Sequence, residues 1–385
     1  MSLNFLDDVA EFKELVRSLE SGDKNLRISG LIEAAKPYFF SFLAQKLEKR
    51  IVFIQPASAS LSRLEEQCRF FSSQWAPSKH VKALPALKEN PYQEASPPLE
   101  AVSSRLQFFY DLLYRKPSLI LTNLFGLLKP FPSPEEMPRL FLRLAKSDFF
   151  DRDKLIQTLE EYGYSREDLI SFRGEYAWRG GIVDVFTPWQ TVPYRFEFSG
   201  DEIVSLREFD PSTQRSLRKL DRVLVPSLLE SPGHDDDGVH FTAYLEDSVF
   251  IVDHAEEVRK EWDEAIEELS AEAEALRTGG RNVQPPEKIF PPHLWDTIQK
   301  EAVLCEDFES RNAKKVFHYH FQSVPRFDNR IPFFLDYARR LQRERERCSI
   351  FLSSKTIRKK ISSLFAQNEI PAIESDSPFT LPKSG

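Results

Sequence analysis

Cysteine is scarce in this chain of 385 residues. There are three, Cys68, Cys305 and Cys348, far apart, odd in number and without a CxxC pair. They support neither a disulfide framework nor a zinc site. Long apolar runs are missing too: none approaches the ~18 residues of a membrane-crossing helix. The opening stretch, MSLNFLDDVAEF, is acidic and amphipathic rather than leader-like. No membrane contact and a cytoplasmic location are therefore expected. Positive charge is in deficit, 52 Lys and Arg against 60 Asp and Glu, for a formal net charge of −8. The chain as a whole lacks the basic footprint of a tight nucleic-acid binder. Its seven histidines are scattered, with no HExxH, and no nucleophile elbow occurs. No catalytic constellation, metal or cofactor is expected. There is no internal repeat, and the last residues, SDSPFTLPKSG, form no cap, as in a fragment.

What is present is ample core material, 41% hydrophobic residues, and length for two or three domains at about 150 residues each. Phe5, Val9, Phe12, Val16 and Leu19 lie on one helix face that Gly22 can close. Strands at Leu26–Ser29, Ile51–Ile54, Val81–Leu84 and Ser118–Thr122 alternate with helices around Tyr38–Leu43, Leu61–Phe71 and Leu99–Leu113. That alternation predicts a parallel sheet with helices on its faces. Phe131-Pro-Ser-Pro134 interrupts it. A strand over Arg139–Leu144 and a helix over Asp153–Tyr162, capped by Gly163, follow. The stretch Phe172–Leu217 then reads as an antiparallel sheet. Ile182–Phe186 is β-branched and aromatic, Tyr194, Phe196 and Phe198 alternate with Arg195 and Glu197, and Ser199-Gly200-Asp201 turns the chain into Ile203–Phe209.

Val223–Val225 and Val249–Val252 look like strands returning to the first sheet. Glu256–Leu276 is a very acidic helix, read as a solvated face. Further strands are expected at Ala302–Leu304 and Val316–His320. A linker opens at Gln322–Pro325, followed by a basic helix (Pro332–Arg347), a strand (Ser349–Leu352) and a helix (Ser354–Gln367). The expected division is 1–127 and 216–325 for one α/β domain, 128–215 for a small α+β domain inserted into it, and 326–385 for the start of a third α/β domain.

Two stretches have the outline of a nucleotide site. Gly30-Leu-Ile-Glu-Ala-Ala-Lys36-Pro37 follows a strand, as a phosphate loop does, and Gly30 and Lys36 fit G-x-x-x-x-G-K-[ST]. Ala35 replaces the second glycine, and Pro37 replaces the Ser/Thr that would meet Mg²⁺, removing an N–H as well. Val249–Val252 leads to Asp253, but His254 stands where a water-polarising Glu is needed. DEAI at Asp263–Ile266 lies in a charged helix and is a chance match. The α/β domain is thus read as a degenerate P-loop, RecA-like fold without cofactor. RRLQRERER, Arg339–Arg347, interleaves glutamates and is read as a solvated helix face.

The RGG-I-V-D-V-F-x-P run from Arg179, the F-E-F-x-G-D-E-I hairpin and the following E-F-D-P-S-T-Q resemble the transcription-repair coupling factors and, more distantly, UvrB. Asn90–Pro97 (N-P-Y-x-x-x-S-P), Ser103–Leu106 (S-S-R-L) and Phe321–Phe327 (F-Q-S-V-P-R-F) extend the resemblance over nearly the whole chain. It implies the N-terminal UvrB-like region of such a factor, recruiting UvrA to stalled RNA polymerase for excision repair. Polymerase and duplex DNA would be engaged by parts beyond Gly385, and a C-terminal domain there would mask the UvrA face. The resemblance places that face at Arg166, Arg179 and Phe186, with Arg173 as a weaker companion. Ala177 departs from UvrB, which has an arginine there. UvrB's long aromatic hairpin is here reduced to Asn90–Pro98 with one Tyr92. The other reading is a UvrB-type damage-binding ATPase subunit, for which intact Walker motifs and that hairpin would be required.

Overall fold

The computed structural model describes the chain apart from residues 1–4, 76–79, 87–91, 93–97, 129–130, 231–238, 246, 287–291, 307–314, 329, 347, 351, 353 and 375–385. Helix α1 (Ala10–Ser21) buries Phe12, Leu15 and Leu19 and ends where Gly22 turns left-handed at φ 77°. Then come β1 (Leu26–Ser29), α2 (Lys36–Lys46), β2 (Arg50–Gln55), α3 (Leu61–Trp75), β3 (Val81–Ala83), α4 (Leu99–Tyr114), β4 (Leu119–Asn123) and α5 (Leu124–Leu128). Helix α2 has no polar stripe over Tyr38–Leu43 and is buried all round, as an all-apolar helix must be.

The chain then leaves this layer. The inserted unit comprises β5 (Phe141–Ala145), α6 (Arg152–Glu161), β6 (Ser165–Arg166), β7 (Glu175–Arg179), β8 (Ile182–Val185), β9 (Tyr194–Ser199), β10 (Glu202–Phe209), β11 (Ser216–Lys219) and β12 (Arg222–Pro226). Six strands form one sheet in the order β11-β10-β9-β8-β7-β6, antiparallel except for β6 with β7. Asp151 caps α6 by accepting the N–H groups of Asp153 and Lys154. Leu155 and Leu159 of that helix pack on Tyr176, Val183, Val185, Phe196 and Leu206, one face of the sheet.

β12 corrects one expectation. Val223–Val225 does not return to the first sheet but pairs antiparallel with β5, Val223 opposite Leu144. Val223, Val225 and Leu144 all lie in the core of the inserted unit. A short apolar run marks a strand, but the same run suits either partner.

The return to the first layer comes with β13 (Ser248–Asp253), α7 (Ala255–Thr278), α8 (Pro292–Glu301), β14 (Val303–Glu306) and β15 (Lys315–His318). The sheet has seven parallel strands in the order β15-β1-β14-β13-β2-β4-β3, so strands from after the insertion fill its middle. Helix α7 is solvated on its acidic side only, since Val258, Trp262, Leu269 and Ala273 are buried. At the edge strand β3, the Ala83 N–H donates to Glu65 Oε1 at 3.1 Å and Arg69 Nε donates to the Val81 carbonyl at 3.3 Å. Two α3 side chains, paired with each other at 2.7 Å, thereby cover groups on which another strand could add.

Helices α9 (Ile331–Arg343) and α10 (Lys355–Gln367) meet through Leu335 and Phe365. The described residues of Ser349–Leu352 form no strand, and Phe351 lies outside them.

The S-S-R-L segment lies on α4, between the two units. Arg105 is fully buried. Its Nε donates to Glu230 Oε1 at 2.8 Å, just after β12, and its Nη1 reaches the Pro85 and Gly126 carbonyls at 3.3 Å each. Its guanidinium lies over the Phe109 and Phe131 rings. Two residues earlier on the same helix, the Ser103 carbonyl accepts the indole N–H of Trp189 of the inserted unit at 3.1 Å.

Candidate functional sites

The phosphate-loop relic sits at the carboxyl ends of β1 and β13, where an open parallel sheet normally takes its ligand. Gly30 has φ 76°, and a Cβ there would collide with the Tyr319 carbonyl as the chain leaves β15. The loop is therefore tight, but it is occupied from within. Lys36 is 2% exposed. Its ammonium lies 2.8 Å from Asp253 Oδ2 and 3.2 Å from His254 Nε2, and it also meets the Glu33 carboxylate. Burial alone would push this amine toward neutrality, yet the Asp253 charge beside it holds its pKa above the ordinary lysine value. Glu33 is held low despite partial burial, chiefly by its hydrogen bond from Lys36. The charge that would face phosphate is thus neutralised inside the fold.

Among the described residues, Glu33, Asp253 and His254 are the one group of potential metal ligands, with ligand atoms within 4.8 Å of one another. The ammonium of Lys36 is already lodged among them, so a cation would have to expel a buried positive charge. The absence of the second loop glycine is explained by local structure. Ala35 is helical and Pro37 occupies the first turn of α2, so the chain enters the helix where a phosphate loop would still be wrapping.

The face of the inserted sheet opposite α6 carries a polar node. Asp184 on β8 is buried and receives both Nε and Nη2 of Arg195 on β9, each at 2.7 Å. The same Nη2 reaches Gln214 Oε1 at 2.7 Å, and the guanidinium stacks 4.1 Å above the Phe209 ring. Two of the quoted sheet motifs meet here, Asp184 from I-V-D-V and Phe209 and Gln214 from E-F-D-P-S-T-Q, while Arg195 immediately precedes the third. Asp210 folds E-F-D-P-S-T-Q by accepting from the Ser212 hydroxyl at 2.6 Å and the Ser212 N–H at 2.8 Å, and those hydrogen bonds lower its pKa. A bidentate, aromatic-backed guanidinium cannot be exchanged for lysine without loss.

The four expected docking residues do not form one flat patch. Arg166 is aligned with Tyr176 in the β6–β7 pair, so it shares the side of Tyr176 and Trp178. Its guanidinium lies 5.1 Å from the Trp178 ring, which Arg152 also approaches at 5.6 Å. Arg179, one residue past Trp178, points to the opposite face and is exposed. Arg173 donates Nε to the Gln190 carbonyl at 2.8 Å. Phe186 is only 7% exposed and closes a small core with Ile170, Ala177 and Phe209. It supports the surface from beneath. Ala177 lies in the same core, so an arginine there would have to displace the 167–174 loop. Sequence reasoning missed Trp178 and the exposed Leu169 and Phe172. Only the turn of the loop shows which of Leu169 and Ile170 is buried.

The other candidates carry less. Of Asn90–Pro98, Tyr92 and Pro98 alone are described, and the Tyr92 hydroxyl donates to the Gln284 carbonyl at 3.0 Å. Arg339 and Arg340 pair with Asp336 at 3.1 Å and Glu344 at 3.7 Å, as on a solvated helix.

Residues 142–228 match the UvrB interaction domain family. The segment that matches is the β5–β12 unit, set into a parallel α/β layer. Its relatives are transcription-repair-coupling factors. It is 34% identical to that of Myxococcus xanthus over 223 residues and 30% identical to that of Haemophilus influenzae over 214, in both cases 56% of this chain and 18% of the relative. The UvrABC system protein B of Acinetobacter baylyi is 28% identical over 236 residues, 57% of this chain and 34% of that protein. The chain thus spans about a fifth of the coupling factors it matches, and the resemblance read from its motifs is supported over about 56% of the chain rather than nearly all of it.

Proposed function

We propose that this chain is the N-terminal UvrB-like module of a transcription-repair coupling factor, and that its inserted unit docks UvrA for excision repair of damage that stalls RNA polymerase. Contacts with polymerase and duplex DNA, ATP-driven translocation, and an intramolecular C-terminal domain that masks the docking face belong to the rest of such a factor. The observation that carries the reading is the match of residues 142–228, with Arg166 and Arg179 at the β6–β7 edge of that unit. Because these arginines leave opposite faces, a partner touching both must embrace that edge. The domain division stands as part of the proposal, with the inserted unit extended from 215 to about Leu228 because β12 pairs with β5. A cytoplasmic setting fits; among the described residues no helix is long and apolar enough to cross a membrane.

Arg179→Ala is expected to weaken UvrA binding by about thirtyfold, ~2 kcal/mol, the loss of a hot-spot arginine. Calorimetry against UvrA measures it, and affinity should fall with added salt. Unchanged affinity would move the docking face elsewhere.

The reading also makes this segment non-catalytic, against the alternative of a damage-binding ATPase subunit. Lys36 is committed to Asp253 and Glu33, so Mg-ATP would have to break a buried ion pair to bind. Equilibrium dialysis with labelled ATP should show no low-micromolar binding, which would correspond to about −8 kcal/mol. Saturation in that range would favour the ATPase alternative.

A further inference from the structure

Exposed aromatic side chains need a reason when the backbone holds them rigidly. Phe172 is 72% exposed and Leu169, three residues earlier, is 53% exposed. Both lie on the 167–174 loop, which runs from β6 back to the start of β7. Because those strands are parallel, the loop must cross the sheet, and it does so on the face opposite α6, where Ile170 plugs into Ala177, Phe186 and Phe209. The crossing is pinned at several points. Glu175 Oε2 accepts the N–H of Ser171 at 2.6 Å and of Phe172 at 2.8 Å. The Glu167 N–H donates to the Tyr176 carbonyl at 2.9 Å, and Arg173 is tied to the Gln190 carbonyl. With Ile170 turned inward, Leu169 and Phe172 are left on the outside.

We propose that Phe172, flanked by Leu169, is the apolar anchor with which the inserted unit grips its protein partner. This rests on the UvrA-docking reading above. The loop lies on the side to which Arg179 points, and it carries Arg173 itself. Arg173 and Arg179 form no ion pair among the described residues, nor does Arg166 on the other face, whereas Asp184 and Glu197 of that sheet face are neutralised by Arg195 and Arg207, and Glu175 is taken up by the loop's own N–H groups. Glu167 and Asp168 on the loop offset part of this charge. The occupant that fits is an apolar pocket with carboxylates on its rim. A planar, pre-positioned aromatic with guanidinium neighbours loses little freedom on binding, which makes it an efficient anchor.

The test titrates the full chain into UvrA by calorimetry, using wild type, Phe172→Ala, Phe172→Leu, Leu169→Ala and Arg179→Ala, with thermal melting of each. Phe172→Ala should lose about tenfold or more in affinity, Phe172→Leu should keep most of it, and Leu169→Ala should lose less. All should melt as wild type, because the truncated atoms are in solvent. Undiminished affinity of Phe172→Ala, with Arg179→Ala weakened, would overturn the anchor and leave the docking reading intact. If wild type does not bind UvrA, the docking reading falls and the anchor with it. If sedimentation shows that wild type self-associates and Phe172→Ala does not, the anchor belongs to a contact between copies of this chain, and the proposal is overturned.

Discussion

Arg105→Ala should destabilise the chain by ~3–5 kcal/mol, the cost of breaking a buried ion pair. Arg105 has no solvent to turn to, and its loss would break its buried ion pair with Glu230 and withdraw the donor from the Pro85 and Gly126 carbonyls. Against a typical domain stability of about 5–15 kcal/mol, that is a third of the total or more. The urea midpoint measures the loss. Replacing both partners with apolar residues of similar bulk, Arg105→Met with Glu230→Leu, should recover much of it, because neither charge then needs burial. If the double variant is no more stable than Arg105→Ala, the pair's worth lies in its geometry rather than in its charge balance. Early proteolysis between residues 228 and 248 in Arg105→Ala would further mark the pair as the clasp between the layers.

Phe186→Ala should cost ~3–5 kcal/mol by leaving a cavity in a well-packed site. It should also weaken UvrA binding, although the ring has little exposed surface to offer a partner. The cavity would open under Ile170, the residue that seats the 167–174 loop, so binding would be lost through the position of that loop. Two variants separate support from contact. Phe186→Leu should recover most of the stability and most of the affinity together. Arg179→Ala should lower affinity with no change in the denaturation midpoint. If Phe186→Ala binds UvrA normally while unfolding earlier, the loop is not part of the docking surface.

Much of the fold was legible because its signals are local. Gly22 closes α1 and Gly163 follows α6, and the apolar runs at Ile51–Ile54 and Ser118–Thr122 are strands buried in a parallel sheet. The hairpin at Ser199-Gly200-Asp201 forms as its turn residues dictate. What could not be read is pairing and facing. Val223–Val225 has the same pattern whether it joins β5 or the large sheet. Arg166 and Arg179 could be placed near the same strands, but their opposite faces depend on the register of β6 against β7. The resemblance makes Phe186 a surface contact, whereas its ring is only 7% exposed, and a short strand end gives no sign that a neighbouring loop will cover it. The phosphate-loop relic was legible in its lost residues. Glu33 was visible only as a negative charge in the loop, and its pairing with Lys36 became clear when Asp253 was brought 217 positions along the chain to the same amine.

The position of β1 bears on how the molecule is made. It lies between β14 and β15 and hydrogen-bonds to no other strand; its Arg27 pairs with Glu306, 279 residues away. At about 5–20 residues per second on the ribosome, β1 waits on the order of 15–60 seconds for either neighbour to be synthesised. Until then Leu26 and Ile28 belong to a strand with two open edges, while the inserted unit, whose pairings are nearly all local, is free to fold first. A nascent chain in that interval has its inserted unit finished and its older, N-terminal part unlocked. Refolding from denaturant should accordingly be slow and limited by the arrival of β14 and β15, because closure over such a sequence distance is what slows parallel sheets.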